Sequence, residues 1–191
     1  MAFWSALGTD AAPRERDIRP AMWRRALQSR GIEDAQLARR LAERFDELRV
    51  ESAEFFPEAI GVLEQLHGKY RLGIITNGFA QTHDAKIARL ELRRFFDHVI
   101  LAGDLDWVKP DPGVFRHAMQ LAGVTPQQSV MVGDRFERDI AGAQDAGMHA
   151  IWTNIRAERV PPGAREPDAI IASIGELPRA LEALRRKSSL P

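Results

Sequence analysis

The 191 residues are 45% apolar and 28% charged, a balance that suits one sizeable core or a core with a small second lobe. Lysine plus arginine and aspartate plus glutamate number 27 each, so no charge excess directs the chain to nucleic acid or to an anionic membrane. The absence of cysteine excludes disulfides and thiolate metal sites, and no apolar run approaches the roughly 20 residues that span a bilayer. The opening Met-Ala-Phe-Trp-Ser-Ala-Leu-Gly lacks the basic start and long apolar region of a secretory signal, so a cytoplasmic protein is expected.

Residues 1–55 are rich in Arg, Glu and Ala and poor in β-branched residues. Residues 17–29 read as a helix with Ile18, Met22 and Ala26 on one face, ended by Gly31. Residues 33–50 read as a second helix, with Leu37, Leu41, Phe45 and Leu48 recurring at helical spacing. This pair is either a lid or simply a helical hairpin. After Phe55-Phe56-Pro57 the pattern changes. A helix over 58–67 precedes a buried strand over 71–76, which ends in Thr76-Asn77-Gly78. A helix over 81–92 leads to a strand over 98–102 and then to Gly103-Asp104. A loop carries Lys109-Pro110-Asp111-Pro112, and a helix follows over 114–122. Residues 129–132 form a short apolar strand that turns at Gly133, leaving Asp134, Glu137 and Asp139 at the mouth of a helix that runs to about residue 146. Strands over 148–152 and 169–171 and a closing helix over 174–186 complete the chain, with a Pro/Gly-rich loop over 160–167.

Strands alternating with helices of about ten residues call for an α/β fold, a parallel sheet with helices on both faces. Right-handed crossovers then gather every strand's carboxyl end on one edge, where open α/β sheets bind ligands. That edge collects Thr76 and Asn77, Asp104, and Asp134, with Lys109 a few residues past a strand end. A phosphoryl group needs donors and positive charge on its oxygens and a cation to neutralise it. Thr76, the backbone amides of Asn77 and Gly78, and Lys109 supply the first. Asp134, Asp139 and Glu137 supply the second by holding Mg²⁺, a hard cation that takes oxygen ligands. Each residue has a plainer reading: Asp134 as a helix cap, Thr76 as the neighbour of one, Lys109 as an exposed loop lysine. The five histidines, at 67, 83, 98, 117 and 149, show no metal-binding spacing and read as surface or capping residues.

The ordered trio of Ile-Ile-Thr76-Asn-Gly, Lys109-Pro-Asp-Pro and Gly133-Asp134-x4-Asp139 closely resembles the haloacid dehalogenase (HAD) superfamily of hydrolases, over most of the chain from about Phe56 to Ala183. The wording of these motifs is most similar to the branch of phosphatases that act on small phosphorylated metabolites, such as pyrimidine nucleotidases and N-acylneuraminate phosphatases. The resemblance implies a Rossmann-like core over 56–191 and part of a helical cap over 1–55. It implies Mg²⁺-dependent hydrolysis through an aspartyl-phosphate, with Thr76, Asn77, Gly78 and Lys109 on the phosphoryl group. Asp134, Asp139 and, less centrally, Glu137 would sit on the metal, and Leu105, Trp107 and the cap would form the leaving-group pocket.

The family's nucleophile is an aspartate in an Asp-x-Asp pair at the end of the first strand, and here the sequence departs from the pattern. Ahead of Phe56 the candidates are Asp10, Asp17, Asp34 and Asp46, and none follows an apolar strand or sits in Asp-x-Asp. Asp104 and Asp106 form the pair, but after Thr76, in the wrong order. The expectation is a chain that begins inside the cap and does not turn over a phosphate ester by itself. The strand of Thr76 and that of residues 130–132, which flank the first strand in this family, are expected to keep unpaired edges. A literal dehalogenase acting on carbon–halogen bonds and a non-catalytic relative are the alternatives. The retained acids speak against the first, and the missing nucleophile is the only support for the second.

Overall fold

The computed structural model describes residues 15–78 and 80–188, so Asp10 lies outside the described residues. The chain divides into two compact units between Ser52 and Ala53.

The first unit is a helical hairpin of α1 (Glu15–Gln28) and α2 (Ala35–Glu51). Gly31, at φ +74°, supplies the left-handed turn that ends the first helix. Asp34 starts the second by accepting the Leu37 N–H at 2.8 Å. Ile18 of the first helix and Ala38 and Ala42 of the second are buried. Arg19 pairs with Asp46 at 2.6 Å, and Trp23 meets Phe45 edge-on with ring centroids 6.2 Å apart. Arg44 reaches both Glu47 and Glu51, whose carboxylates raise its pKa. On α2 the residues expected to face inward are only partly covered, since Phe45 and Leu48 are exposed.

The second unit alternates strands and helices as the sequence predicts. Its elements are α3 (Ala59–Leu66), β1 (Gly73–Thr76), α4 (Ala80–Arg89), β2 (His98–Leu101), α5 (Pro112–Ala122), β3 (Val130–Gly133), α6 (Gly142–Asp145), β4 (His149–Thr153), β5 (Ala169–Ile171) and α7 (Leu177–Ser188). All strand pairs are parallel, but they form two sheets: β1 with β2, and β3–β4–β5 in that order. Among the described residues β4 alone pairs on both sides, and the one-sided strands include β1 and β3, the two expected to keep unpaired edges. Packing joins what hydrogen bonds do not. Ile75 of β1 and Met131 of β3 both lie against the buried cluster of Ile100, Ala102, Val114, Phe115 and Ala143. On the opposite face, Val130 and Val132 alternate away from Met131 and pack with Val62, Leu66, Ile151, Ile171, Leu177 and Leu181. Helices thus cover both faces, the layering of an α/β domain. The stretch after β3 departs from a plain α-helix: Phe136–Ala141 is a π-helical segment, followed by one turn of α6. At the entry to β5, Asp168 gives its N–H to Ala150 O at 2.9 Å and accepts the Ala150 N–H on Oδ2 at 2.8 Å, while Oδ1 meets His149 Nδ1 at 3.1 Å. No described helix is long and apolar enough to cross a membrane.

Candidate active site

Three strand-end segments supply the site. The first is Thr76-Asn77-Gly78 after β1. Asn77 does more than offer a backbone amide: its side-chain Nδ2 donates to Lys109 O at 2.7 Å, and its Oδ1 accepts the Lys109 N–H at 2.8 Å. One carboxamide therefore holds both backbone groups of the residue that carries the site's cation. The Gly78 N–H is turned inward onto the Thr76 hydroxyl at 3.2 Å.

The second segment is the loop around Lys109. The Asp111 N–H bonds Val108 O at 2.8 Å, closing a turn whose Lys109–Pro110 bond is cis. Asp111 then caps α5 by accepting the Gly113 N–H at 2.6 Å. A side chain at Gly113 would collide with the Trp107 ring, 2.7 Å from a built Cβ, so the loop lies flat on the helix start. Lys109 is not an exposed loop lysine. Its side chain is 11% exposed, and its Nζ lies 2.7 Å from Asp139 Oδ1.

The third segment is Gly133-Asp134 and the π-helical turn. Asp139 is only 5% exposed and uses both oxygens, Oδ1 on Lys109 and Oδ2 on the Arg135 N–H at 3.0 Å. Any side chain at Gly133 would overlap the Asp139 carboxylate, and one at Gly142 would strike Pro110 O at 2.8 Å. Two glycines therefore let the acid and its helix close on strand and loop. Asp134 behaves oppositely: its side chain is 71% exposed, with Arg135 Nε 3.8 Å away. It caps no helix, because Arg135 occupies the position before the π-helical segment and makes no side-chain cap. Its backbone is fixed, since the buried Trp152 gives its indole N–H to Asp134 O at 3.1 Å. Glu137 is exposed.

The sequence-predicted residues thus divide. Asn77, Lys109 and Asp139 come together by direct contact, and Thr76 is the strand neighbour of Asn77. Asp134, Asp139 and Glu137 do not gather into a metal-binding group among the described residues, and Asp139 faces Lys109 instead. The donor set nonetheless fits Mg²⁺ in kind. All three are oxygen donors, Asp134 leaves its carboxylate open to solvent on a fixed backbone, and Mg²⁺ needs only one or two protein carboxylates beside water and phosphate.

Two further residues support these segments, of which only His83 is not placed at the site by the sequence. His83, taken as a surface or capping residue, is half-buried with its Nδ1 3.3 Å from Thr76 Oγ1. Asp104, expected at the strand-end edge, accepts the Ala80 N–H at 2.7 Å and so secures the start of α4. The only sequence signal for His83 was its place on the first turns of the helix that follows Thr76.

Residues 20–153 match the family described as haloacid dehalogenase-like hydrolase, a span that takes in β1 to β4 and all three segments. The chain belongs to that family. It is 32% identical over 178 residues to N-acylneuraminate-9-phosphatase from Mus musculus, an alignment that covers 91% of this chain and 71% of the relative. Pyrimidine 5'-nucleotidase YjjG from Escherichia coli is 33% identical over 144 residues, 74% of this chain and 63% of that protein. Among solved structures, a 2-haloacid dehalogenase from Pseudomonas syringae pv. Tomato DC3000 superposes with a TM-score of 0.69 at 36% identity, covering 89% of this chain and 72% of that one. As a HAD-like hydrolase with phosphatase relatives, the chain is of the hydrolase, phosphatase-type class.

Proposed function

We propose that the chain carries the phosphoryl- and metal-binding part of a phosphomonoesterase acting on small phosphorylated metabolites in the cytoplasm. One observation carries this reading: the Asn77 carboxamide fixes the backbone of Lys109, and Lys109 presents its ammonium beside Asp139 at the edge where Thr76 ends β1. A cation held this firmly suits a ligand with negative charge on fixed oxygens, because a preorganised donor needs no rearrangement when charge arrives. Thr76 and Lys109 bind the phosphoryl oxygens, together with the Asn77 amide, while the Gly78 N–H, expected beside it, is spent on the Thr76 hydroxyl. Asp134 is the main Mg²⁺ ligand, with Glu137 beside it. Asp139 joins that shell only by releasing Lys109, and otherwise orients the lysine. Mg²⁺ bound there would neutralise phosphoryl charge. Exposed Leu105 and Trp107, on the approach to Lys109, offer apolar surface to the leaving group. The hairpin of residues 15–52 belongs to the helical cap.

Catalysis of the aspartyl-phosphate kind needs a carboxylate oxygen that attacks phosphorus while the ester oxygen leaves and takes a proton. Water then attacks phosphorus, frees phosphate and regenerates the carboxylate. No Asp-x-Asp precedes the Thr76 strand in the 191 residues. The 191-residue chain alone is therefore expected to bind phosphate with Mg²⁺ and not to hydrolyse esters. Purified chain assayed with a panel of phosphomonoesters and Mg²⁺ tests this: sustained turnover, lost in Lys109→Met, would overturn the inactive reading, and no phosphate binding at all would overturn the site. The likeness to the P. syringae dehalogenase keeps a second reading in view. Turnover of a 2-haloacid in the presence of EDTA would favour it, since carbon–halogen displacement by a carboxylate needs no Mg²⁺.

A further inference from the structure

We propose that His83 sets the direction of the Thr76 hydroxyl proton: a phosphoryl oxygen bound at Thr76 selects the form of His83 that carries a proton on Nδ1. The inference rests on the phosphoryl-binding role of Thr76 given above and adds a residue which that role does not require.

The argument is a count of protons and lone pairs. A threonine hydroxyl has one proton to give and two lone pairs to accept with. One lone pair of Thr76 Oγ1 is taken by the Gly78 N–H at 3.2 Å. One proton and one lone pair remain, and His83 Nδ1 stands 3.3 Å away as one claimant, its role as donor or acceptor set by its tautomer. An ionised phosphoryl oxygen is a second claimant and can only accept. If Nδ1 lacks a proton, it accepts the Thr76 hydroxyl proton, and Thr76 then turns only a lone pair toward the anion. If Nδ1 carries a proton, it donates to the free lone pair, and the hydroxyl proton is released to the phosphoryl oxygen. Anion binding and the Nδ1–H form are therefore linked, and each favours the other.

The geometry keeps the ring where this exchange happens. A Cβ on Gly78 would overlap the His83 ring, so the imidazole lies directly across that glycine. The helix that carries His83 is pinned at its first residue by Asp104 Oδ2 on the Ala80 N–H at 2.7 Å, and Gly103 N–H donates to Gly78 O at 3.2 Å. Strand end, glycine and helix start are thus tied to the same loop. His83 acts through Thr76 and is a positioning residue.

The test is NMR on the full chain with ¹⁵N-labelled histidine, titrated with inorganic phosphate in the presence of Mg²⁺ at one fixed pH. The backbone amides of Asn77 and Lys109, neither of which donates to Thr76, report arrival of the anion independently. Expected is a move of the His83 Nδ1 resonance from its unprotonated toward its protonated position, over the same phosphate range in which the two amides shift, and loss of that move in Thr76→Val. If the amides shift while His83 Nδ1 stays still, or moves equally in Thr76→Val, the His83 proposal falls and the phosphoryl site stands. If neither responds to phosphate, both fall together. His83→Gln, whose carboxamide can also donate to Thr76, should keep phosphate affinity closer to that of the parent than His83→Leu does; the reverse order also counts against the proposal.

Discussion

Lys109 and Asp134 both follow strand ends of the same unit, yet they are held in opposite ways. Lys109 is closed in: its backbone is clamped at two points by Asn77, its ammonium is matched to a carboxylate, and little of it meets solvent. Asp134 is held through its carbonyl, on Trp152, and its carboxylate is exposed, with only a long approach from Arg135 beside it. The contrast separates what the chain organises for itself from what it leaves to a ligand. A buried ammonium must have its counter-charge built in, whereas an exposed carboxylate can wait for a cation at no folding cost.

The comparison breaks most easily at its buried end. Asp139→Ala leaves the Lys109 ammonium enclosed without its partner and should destabilise the chain by about 3 kcal/mol, read as a lower urea midpoint. A loss below about 1 kcal/mol would mean that Lys109 simply turns to solvent, and the corner would not be preorganised. Asn77→Ala should cost less, about 1–2 kcal/mol, because two neutral hydrogen bonds go while the ion pair remains. It should also weaken phosphate binding, measured by calorimetry, more than its effect on stability would suggest, since Lys109 loses its fixed position. At the exposed end, Asp134→Ala should shift stability by less than about 0.5 kcal/mol. Its effect should appear with Mg²⁺, which raises the parent's thermal midpoint by mass action and should leave that of the variant unmoved. Equal Mg²⁺ protection in both would remove Asp134 from the metal site.

Most of the fold was legible because it rests on short-range signals. The apolar runs around Ile74, Ile100, Met131 and Ile151 end in Gly, Asn or Asp, and each became a strand. The one-sided pairing of β1 and β3 was expected from the family resemblance rather than from any local feature. What stayed hidden depends on contacts across many residues. Nothing in Thr-Asn-Gly says that the carboxamide will clamp a backbone 32 residues on. Nothing in Gly-Asp-x4-Asp says that the second acid will turn inward to a lysine while the first faces water. The π-helical turn that separates their directions leaves no mark in hydrophobic periodicity, since Phe136 and Ile140 keep helical spacing. His83 was missed because a single histidine on a helix looks the same whether its ring meets solvent or a hydroxyl.

Asp168 has a consequence of another kind. The edge strand β5 has only three residues, too few for its own ladder to hold it in phase. Its two inward-and-outward isoleucines are sharply unequal, Ile170 49% exposed and Ile171 3%. A slip of one position would exchange them and lift an isoleucine off Leu177 and Leu181. By gripping both the N–H and the C=O of Ala150 just before the strand begins, Asp168 acts as an indexing pin. It is a charged residue whose work is to keep an apolar strand counting from the right place.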